Sequence, residues 1–312
     1  MRHIAAPLTT LACLALTCAT AVAGFGAQAP PRAVVLHPVQ THDILFLLEG
    51  GGDNALALMH DDGVVLIDPL PAGWGKASLE AIAAVSEQQV TTIINIRDSE
   101  AHLKANAEYP TATRIIAHRH VAARAAKMAA FAGAGARFLP NEVVGDRFSL
   151  LDGLDRIELH HLGPGRTDGD LVVVFPMKGV AYLGDLFPSR RVPVVERDKG
   201  GSATAFPATL AKARALPGLT IAVPGHEPPA VREHGAQKPG TAMPLSMFPP
   251  WGRLGEYADF TRELVGDIMA AKQAGTASPQ DAVAGLALPD RFKAYDMRGA
   301  TALAEAVFKE FQ

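Results

Sequence analysis

Histidine is the residue type in this chain best suited to metal binding or proton transfer, and it occurs 11 times. His118-Arg119-His120 has the spacing of two metal ligands, but no Asp-His follows and the segment stands where a helix should begin. We therefore expect a structural or surface role for this pair. His160 and His161 alternate across a predicted strand, so only one of them can face a cleft. His161 is the better candidate, in a supporting role, because it lies nearer to the loop at 163–170.

Other catalytic machinery is not recognisable in the sequence. Ser189 and Ser202 lack the Gly-x-Ser-x-Gly context of a nucleophile elbow. The glycine run at 50–52 has neither the lysine nor the following helix of a phosphate-binding loop. Both cysteines, Cys13 and Cys18, lie in an apolar run near the amino terminus. The rest of the chain therefore offers no thiolate as a nucleophile or metal ligand, and no catalytic residue is assigned.

Residues 1–29 have the form of a secretory signal peptide. Met1-Arg2-His3 is a positive segment, residues 8–23 are apolar and uncharged, and Ala21-Val22-Ala23 offers a cleavage site. The apolar run is too short for a membrane span. We therefore expect an exported protein, periplasmic or extracellular, that has no membrane association after signal cleavage.

Composition narrows the classes of protein to which this chain could belong. The chain is 48% hydrophobic and 20% charged, which is typical of a folded, enzyme-sized protein and not of a disordered one. Its formal net charge is -3 and it has no basic stripe, so nucleic acid is not an expected partner. The sequence does not indicate the oligomeric state.

Strand and helix patterns form two strand-rich halves. The apolar and β-branched runs predict strands at 44–49, 54–59, 64–68, 91–95, 114–117, 155–160, 171–175, 180–185 and 220–223. Helices are predicted at 76–87, 121–131 and 202–215, and from residue 255 to the end, with a long loop at 224–250. Two such halves with helices outside predict an α/β protein with helix/sheet/sheet/helix layers.

Several short motifs occur in the order found in metallo-β-lactamase-fold hydrolases, and the chain resembles that family. Residues 63–68 resemble its G-v-v-L-I-D strand, and 92–95 the strand before its histidine-rich loop. Residues 163–170 resemble its G-x-x-H-T-x-G-D, 184–187 its G-D-l-f, and 224–226 its P-G-H. The resemblance implies a four-layer αβ/βα sandwich over residues 30–250. Residues 251–312 would then be a C-terminal helical tail packed on it.

In that family these loops hold one or two metal ions, usually zinc, which lower the pKa of a bound water. Carried over one by one, the ligand positions are Arg97, Ser99, Ala101, His102, Arg166, Asp185 and His226. Only His102, Asp185 and His226 keep ligand-type side chains, and they would be the ligands if a single metal binds. The resemblance also gives a supporting position to Asp68, since such a residue braces the metal loop in that family. His161 and Asp170 are supporting candidates from their place in the sequence, and we expect Asp170 to hold its own loop.

Arg97 and Arg166 argue against metal binding at this site. A guanidinium 4 Å from a unit charge interacts by about 4 kcal/mol at an effective dielectric near 20, and by about twice that with a divalent ion. The simpler interpretation is that Arg97 and Arg166 replace the missing cations. We therefore expect at least one guanidinium within salt-bridge distance of Asp185 or Asp68. The cofactor is accordingly none, or one zinc ion.

Two functions remain open. The first is a non-catalytic or weakly active exported protein that binds an anionic small molecule through Arg97 and Arg166. The second is a mononuclear metal-dependent hydrolase of an ester, lactam or phosphoester, centred on His102, Asp185 and His226.

Overall fold

The computed structural model describes residues 32–40, 44–226 and 248–311. The predicted signal peptide and most of the predicted loop at 224–250 lie outside these ranges. The predicted domain limits after residues 29 and 250 stay predictions. Among the helices that are described, none combines the length and apolar character needed to cross a membrane.

Two β-sheets form the centre of the protein. The first has seven strands in sequential order: β1 Val35–Pro38, β2 Leu45–Gly50, β3 Asp53–His60, β4 Gly63–Ile67, β5 Val90–Asn95, β6 Arg114–His118 and β7 Glu142–Val144. The second has five, in the order β12 Ile221–Pro224, β11 Val180–Gly184, β10 Val172–Phe175, β9 Ile157–His160 and β8 Arg147–Leu150. Strands β1, β7 and β8 were not predicted from the sequence, because they are short and only partly buried.

Helices connect and cover the sheets. The α-helices of the described residues are α1 Gly75–Ala83, α2 Glu100–Lys104, α3 Arg119–Ala125, α4 Phe206–Arg214, α5 Trp251–Gln273, α6 Pro279–Ala284 and α7 Ala300–Glu310. Short 3-10 helices occur at Ala105–Glu108, Ala129–Phe131, Gly133–Phe138, Gly153–Asp155, Pro176–Lys178, Arg197–Lys199 and Asp290–Phe292.

Apolar clusters of the described residues separate the layers. One lies between the sheets, where alternate residues of the strands face each other, such as Leu56, Ile94 and Val173. A second covers the outer face of the first sheet with α1, and a third covers the outer face of the second sheet with α4, α5 and α7. The predicted four-layer αβ/βα sandwich with a C-terminal helical region is confirmed.

The C-terminal region differs in detail from the prediction of one helix from residue 255 to the end. Its first helix begins earlier, at Trp251, and Gly275, with φ +88°, follows its end. Ser278 then caps α6, and the Glu310 carboxylate accepts hydrogen bonds from the backbone N–H groups of Ala203 and Thr204 near the start of α4. These contacts fasten the end of the chain to the rest of the protein.

The alanine-rich segment also differs from its prediction. A helix was expected at 121–131, but α3 ends at Ala125 and two 3-10 helices follow. Met128 has φ -76° and ψ +133°, an extended conformation that an α-helix does not contain. Alanine favours helix, but tertiary context overrides that propensity here.

Candidate functional site

Five polar residues meet where strand ends from both sheets come together. Asp68 follows β4, Arg97 follows β5 by two residues, Asp185 follows β11, and His226 follows β12 by two residues. Strands β4 and β5 are parallel, as are β11 and β12, so the carboxyl ends of each pair lie at one edge. Asp53 begins β3, which is antiparallel to β4, and it therefore starts at that same edge.

Close backbone approach brings Asp185 and His226 together. Gly184 has φ +52°, and a Cβ added at Gly225 would lie 2.8 Å from the backbone carbon of Gly184. Side chains at these two positions would push the ends of β11 and β12 apart. The Gly-Asp and Pro-Gly-His sequences thus have a steric reason for their glycines.

Arg97 is the centre of the cluster, and its side chain is only 3% exposed. Its Nε donates to Asp68 Oδ2, and its Nη1 donates to Asp185 Oδ1 at 2.8 Å and lies 3.5 Å from Asp53 Oδ1. Asp68 itself is fully buried and has φ +55°, a conformation rarely adopted by residues other than glycine. The predicted pairing of a guanidinium with Asp185 or Asp68 is confirmed.

Arg166 supplies a second guanidinium to Asp185. Its Nη1 donates to Asp185 Oδ2, while its Nε donates to Glu196 Oε1 at 2.7 Å. The Lys199 ammonium lies 2.7 Å from the other oxygen of Glu196. Asp185 is therefore held between two arginines, one on each carboxylate oxygen.

His226 lies between two carboxylates. Its Nε2 is 2.9 Å from Asp185 Oδ1, and its Nδ1 is 3.2 Å from Asp53 Oδ1. Hydrogen bonds to Asp185 and Asp53 raise the pKa of His226 to about 9, although burial opposes the shift. His226 is thus an imidazolium at neutral pH, with both ring N–H groups donating.

The opposite charges shift one another's pKa values. Burial would raise the pKa of Asp185, but Arg97, His226 and Arg166 hold it well below the usual range. Burial likewise opposes the low pKa of Asp53, which His102, His226 and Arg97 bring about. We call Arg97, Arg166, His226, Asp53, Asp68, Asp185 and Glu196 the ion-pair network.

The predicted positions Ser99, Ala101, His161 and Asp170 lie outside this network. Ser99 precedes α2 without a side-chain capping bond, and Ala101 is exposed and carries no polar group. His161 stacks on the ring of His118 at 4.2 Å, and its Nδ1 donates to the Asp170 carbonyl. The Asp170 carboxylate accepts from Thr167 N and Oγ1, each at 2.8 Å, and burial raises its pKa to about 7. It therefore holds its own loop.

Sequence reasoning missed Asp53, Glu196 and Tyr182 as members or neighbours of the network. The Tyr182 hydroxyl lies 3.4 Å from Asp68 Oδ2. A possible signal for Asp53 was a charged residue at the start of an otherwise buried strand. Glu196 had none, because it lies in a loop without a motif.

The side chains present do not fit a divalent metal ion. His102 keeps a ligand-like orientation, because its Nδ1 donates to the Pro69 carbonyl at 2.6 Å and Nε2 points into the site. However, both ring nitrogens of His226 face carboxylates, and both oxygens of Asp185 accept from guanidiniums. Across residues 32–40, 44–226 and 248–311, no three His, Cys, Asp or Glu side chains are arranged to hold a metal.

Comparison with known proteins agrees with this fold. The sequence profile of the metallo-beta-lactamase superfamily matches residues 81–226. A metallo-beta-lactamase from Pontibacter korlensis superposes with a TM-score of 0.54 at 14% identity, over 73% of this chain and 99% of that one. The metallo-beta-lactamase FIM-1 from Pseudomonas aeruginosa, in its mono-zinc form, gives 0.53 at 12% identity, over 75% and 96%.

A structural relative outside the β-lactamases matches more of the chain. The inverting sec-alkylsulfatase Pisa1 from Pseudomonas sp. superposes with a TM-score of 0.66 at 12% identity, over 89% of this chain and 50% of that one. No curated protein matches the sequence. Fold and sequence profile agree: the chain has the metallo-β-lactamase fold, and its residues 81–226 match the metallo-beta-lactamase superfamily.

Proposed function

We propose that this chain is a metal-independent member of the superfamily that binds an anionic small molecule in its ancestral cleft. The observation that carries the proposal is the buried Arg97 guanidinium, in contact with Asp68 and Asp185 where a cation would otherwise be needed. In this proposal the protein has no metal-dependent hydrolytic activity. It is exported through the predicted signal peptide, which lies outside the described residues.

Burial and charge support the absence of a metal. An unpaired carboxylate in the interior is strongly disfavoured, so Asp68 and Asp185 stay ionised only with positive charge nearby. Burial raises the pKa of Asp68, and Arg97 opposes that shift. Arg97 and Arg166 supply the positive charge within the chain, and the surrounding charges raise the pKa of both arginines despite burial. A divalent ion would have to displace or approach these fixed charges, at an unfavourable electrostatic energy.

Unused donors and exposure support an anionic ligand. Among the described residues, Arg97 Nη2 is buried and has no hydrogen-bond partner. An unsatisfied buried donor costs about 1–3 kcal/mol, which an oxygen atom of a ligand would recover. The side chains of Arg166 and His226 are 25% and 32% exposed, so the network is open to solvent at these two cations.

Metal content and activity test the first half of the proposal. Protein purified without chelator should contain less than one equivalent of zinc by mass spectrometry, and should not hydrolyse generic ester, lactam or phosphoester substrates. Two equivalents of zinc that survive dialysis would contradict it. Turnover that a chelator abolishes and zinc restores would establish the mononuclear hydrolase at His102, Asp185 and His226 instead.

Ligand binding tests the second half. Melting temperatures should be measured with acetate, sulfate and inorganic phosphate at constant ionic strength. At least one anion should stabilise the protein, and Arg166→Gln should remove that effect. The matched control is Arg262→Gln, which changes a 64% exposed arginine on α5. Equal stabilisation of both variants would place anion binding elsewhere.

A further inference from the structure

One carboxylate of the ion-pair network is held less tightly than the others. Asp53 Oδ1 lies 3.5 Å from Arg97 Nη1, 3.5 Å from His102 Nε2 and 3.2 Å from His226 Nδ1. Asp185 Oδ1, in contrast, is 2.8 Å from Arg97 and 2.9 Å from His226. Charge-assisted N–H···O bonds are typically about 2.7–2.9 Å long. The three contacts of Asp53 Oδ1 are therefore longer than those of Asp185 Oδ1.

Asp53 also lies at the rim of the site. Its side chain is 16% exposed, compared with 0% for Asp68 and 4% for Asp185. It follows the two-residue turn Gly51-Gly52, whose φ values of +68° and +89° are typical of a tight hairpin. Rotation of the Asp53 side chain toward solvent would leave the backbone pairing of β2 with β3 unchanged.

Three nitrogen atoms from three different segments converge on this one oxygen. Arg97 follows β5, His102 is in α2 and His226 follows β12. Arg97 and His226 carry positive charge that Asp53 partly balances. An external anion that reached Arg97 and His226 here would have to take the place of Asp53, because the carboxylates of Asp68 and Asp185 are buried.

We propose that Asp53 is an internal occupant of an anion site and that the ligand is a small-molecule carboxylate, which displaces Asp53 from Arg97, His102 and His226. This inference rests on the proposed function and names its ligand class. A carboxylate replaces one planar monoanion with another, so the charge balance of the network is unchanged. A phosphate dianion would add a second negative charge beside Asp185.

If the ligand displaces Asp53, the affinity of the protein for a carboxylate should depend on the Asp53 side chain. When a binding-competent state is only partly populated, the apparent affinity falls by that fraction. Removal of the internal carboxylate leaves the site open at all times. We therefore expect Asp53→Ala to bind formate or acetate at least about tenfold more tightly than the unchanged protein.

Calorimetric titration with formate and acetate tests this, with chloride used to match ionic strength. The control variant is Asp62→Ala, which removes a carboxylate that is 93% exposed in the next turn of the chain. Melting temperature is the second readout, and formate should raise that of Asp53→Ala by more than that of Asp62→Ala. Asp53→Asn, which keeps the side-chain shape, serves the same purpose if Asp53→Ala does not fold. N-acetylglycine, titrated beside acetate, distinguishes the chain end of a peptide from a free small acid.

The outcomes separate this inference from the proposed function. Tighter carboxylate binding by Asp53→Ala alone supports both. Carboxylates that bind equally well to Asp53→Ala and Asp62→Ala would overturn the role of Asp53 and leave the anion site standing. A preference of Asp53→Ala for phosphate over formate would overturn the carboxylate assignment. No binding of any anion to any variant would overturn both proposals.

Discussion

Replacement of Arg97 by glutamine tests most directly whether the guanidinium does the electrostatic work of a metal. Arg97 is 3% exposed and is the cation that contacts Asp68, whose side chain is 0% exposed. Asp185 would keep Arg166 and His226, but Asp68 would lose its charged partner. Removal of one member of a buried ion pair costs about 3–5 kcal/mol, because the remaining charge is left uncompensated.

That loss is large compared with the total stability of a folded domain, about 5–15 kcal/mol. Urea unfolding at pH 7.5 in the presence of EDTA, followed by circular dichroism, would measure it. The control is Lys76→Gln, which removes an exposed ion pair with Glu80 and should change the free energy of unfolding by about 0–1 kcal/mol. If Arg97→Gln lowers the free energy of unfolding by no more than Lys76→Gln does, Arg97 does not provide the proposed electrostatic stabilisation.

The pH dependence of the stability of Arg97→Gln provides a second check. In the unchanged protein Arg97 helps to hold the pKa of Asp185 below its usual range, so this stabilisation is present above about pH 4 and is lost at lower pH. In Arg97→Gln the carboxylates should take up protons at higher pH, which neutralises the uncompensated charge. The difference in free energy of unfolding between Arg97→Gln and the unchanged protein should therefore shrink as the pH falls from 7 toward 4. A difference that does not depend on pH would point to lost packing.

Two further predictions concern the histidine stack and the C-terminal helices. Burial and the neighbouring His161 lower the pKa of His118 to about 4, whereas an unfolded histidine titrates near 6.5. The unfolded chain thus binds the proton first, and the free energy of unfolding falls as the pH drops from about 6.5 to 4. His118→Asn should reduce this pH dependence in urea unfolding. An unchanged pH dependence would contradict the low pKa of His118. A chain truncated after Pro250 would expose the apolar cluster that Tyr257, Phe260 and Leu264 complete, and we expect it to be insoluble or unfolded. A soluble truncated protein with a cooperative thermal transition would show that helices α5 to α7 are dispensable for folding.

The sandwich could be predicted because its strands are long, buried and bounded by motifs in a fixed order. The sequence carried less information where secondary structure depends on contacts from far away. Strand β7 pairs only with β6 at the edge of its sheet, and α3 stops at Ala125 although alanine continues beyond it. Intrinsic propensity is a weak guide at such positions because tertiary packing overrides it.

The candidate site could be predicted at positions fixed by strand ends, and not beyond them. Arg97, Arg166 and Asp185 follow recognisable motifs, and their mutual contact is what the charge argument required. Asp53 joins them because it pairs with His226 in an isolated bridge between the two halves of the chain. No local pattern specifies that bridge. Glu196 reaches Arg166 from a position 30 residues along the chain, in the connection between β11 and α4.

The ion-pair network and a metal centre are alternative solutions to one electrostatic problem. Carboxylates at the ends of β4 and β11 need positive charge nearby, whether it comes from a bound ion or from arginine. A guanidinium on a long side chain supplies it without a ligand set, but it also uses the carboxylate oxygens that a metal would need. A single histidine at Arg97 would therefore still leave Asp185 bonded to Arg166 and His226 bridged to Asp53. Return to metal binding requires the network to be dismantled as a unit, because each cation in it is held by a carboxylate shared with another.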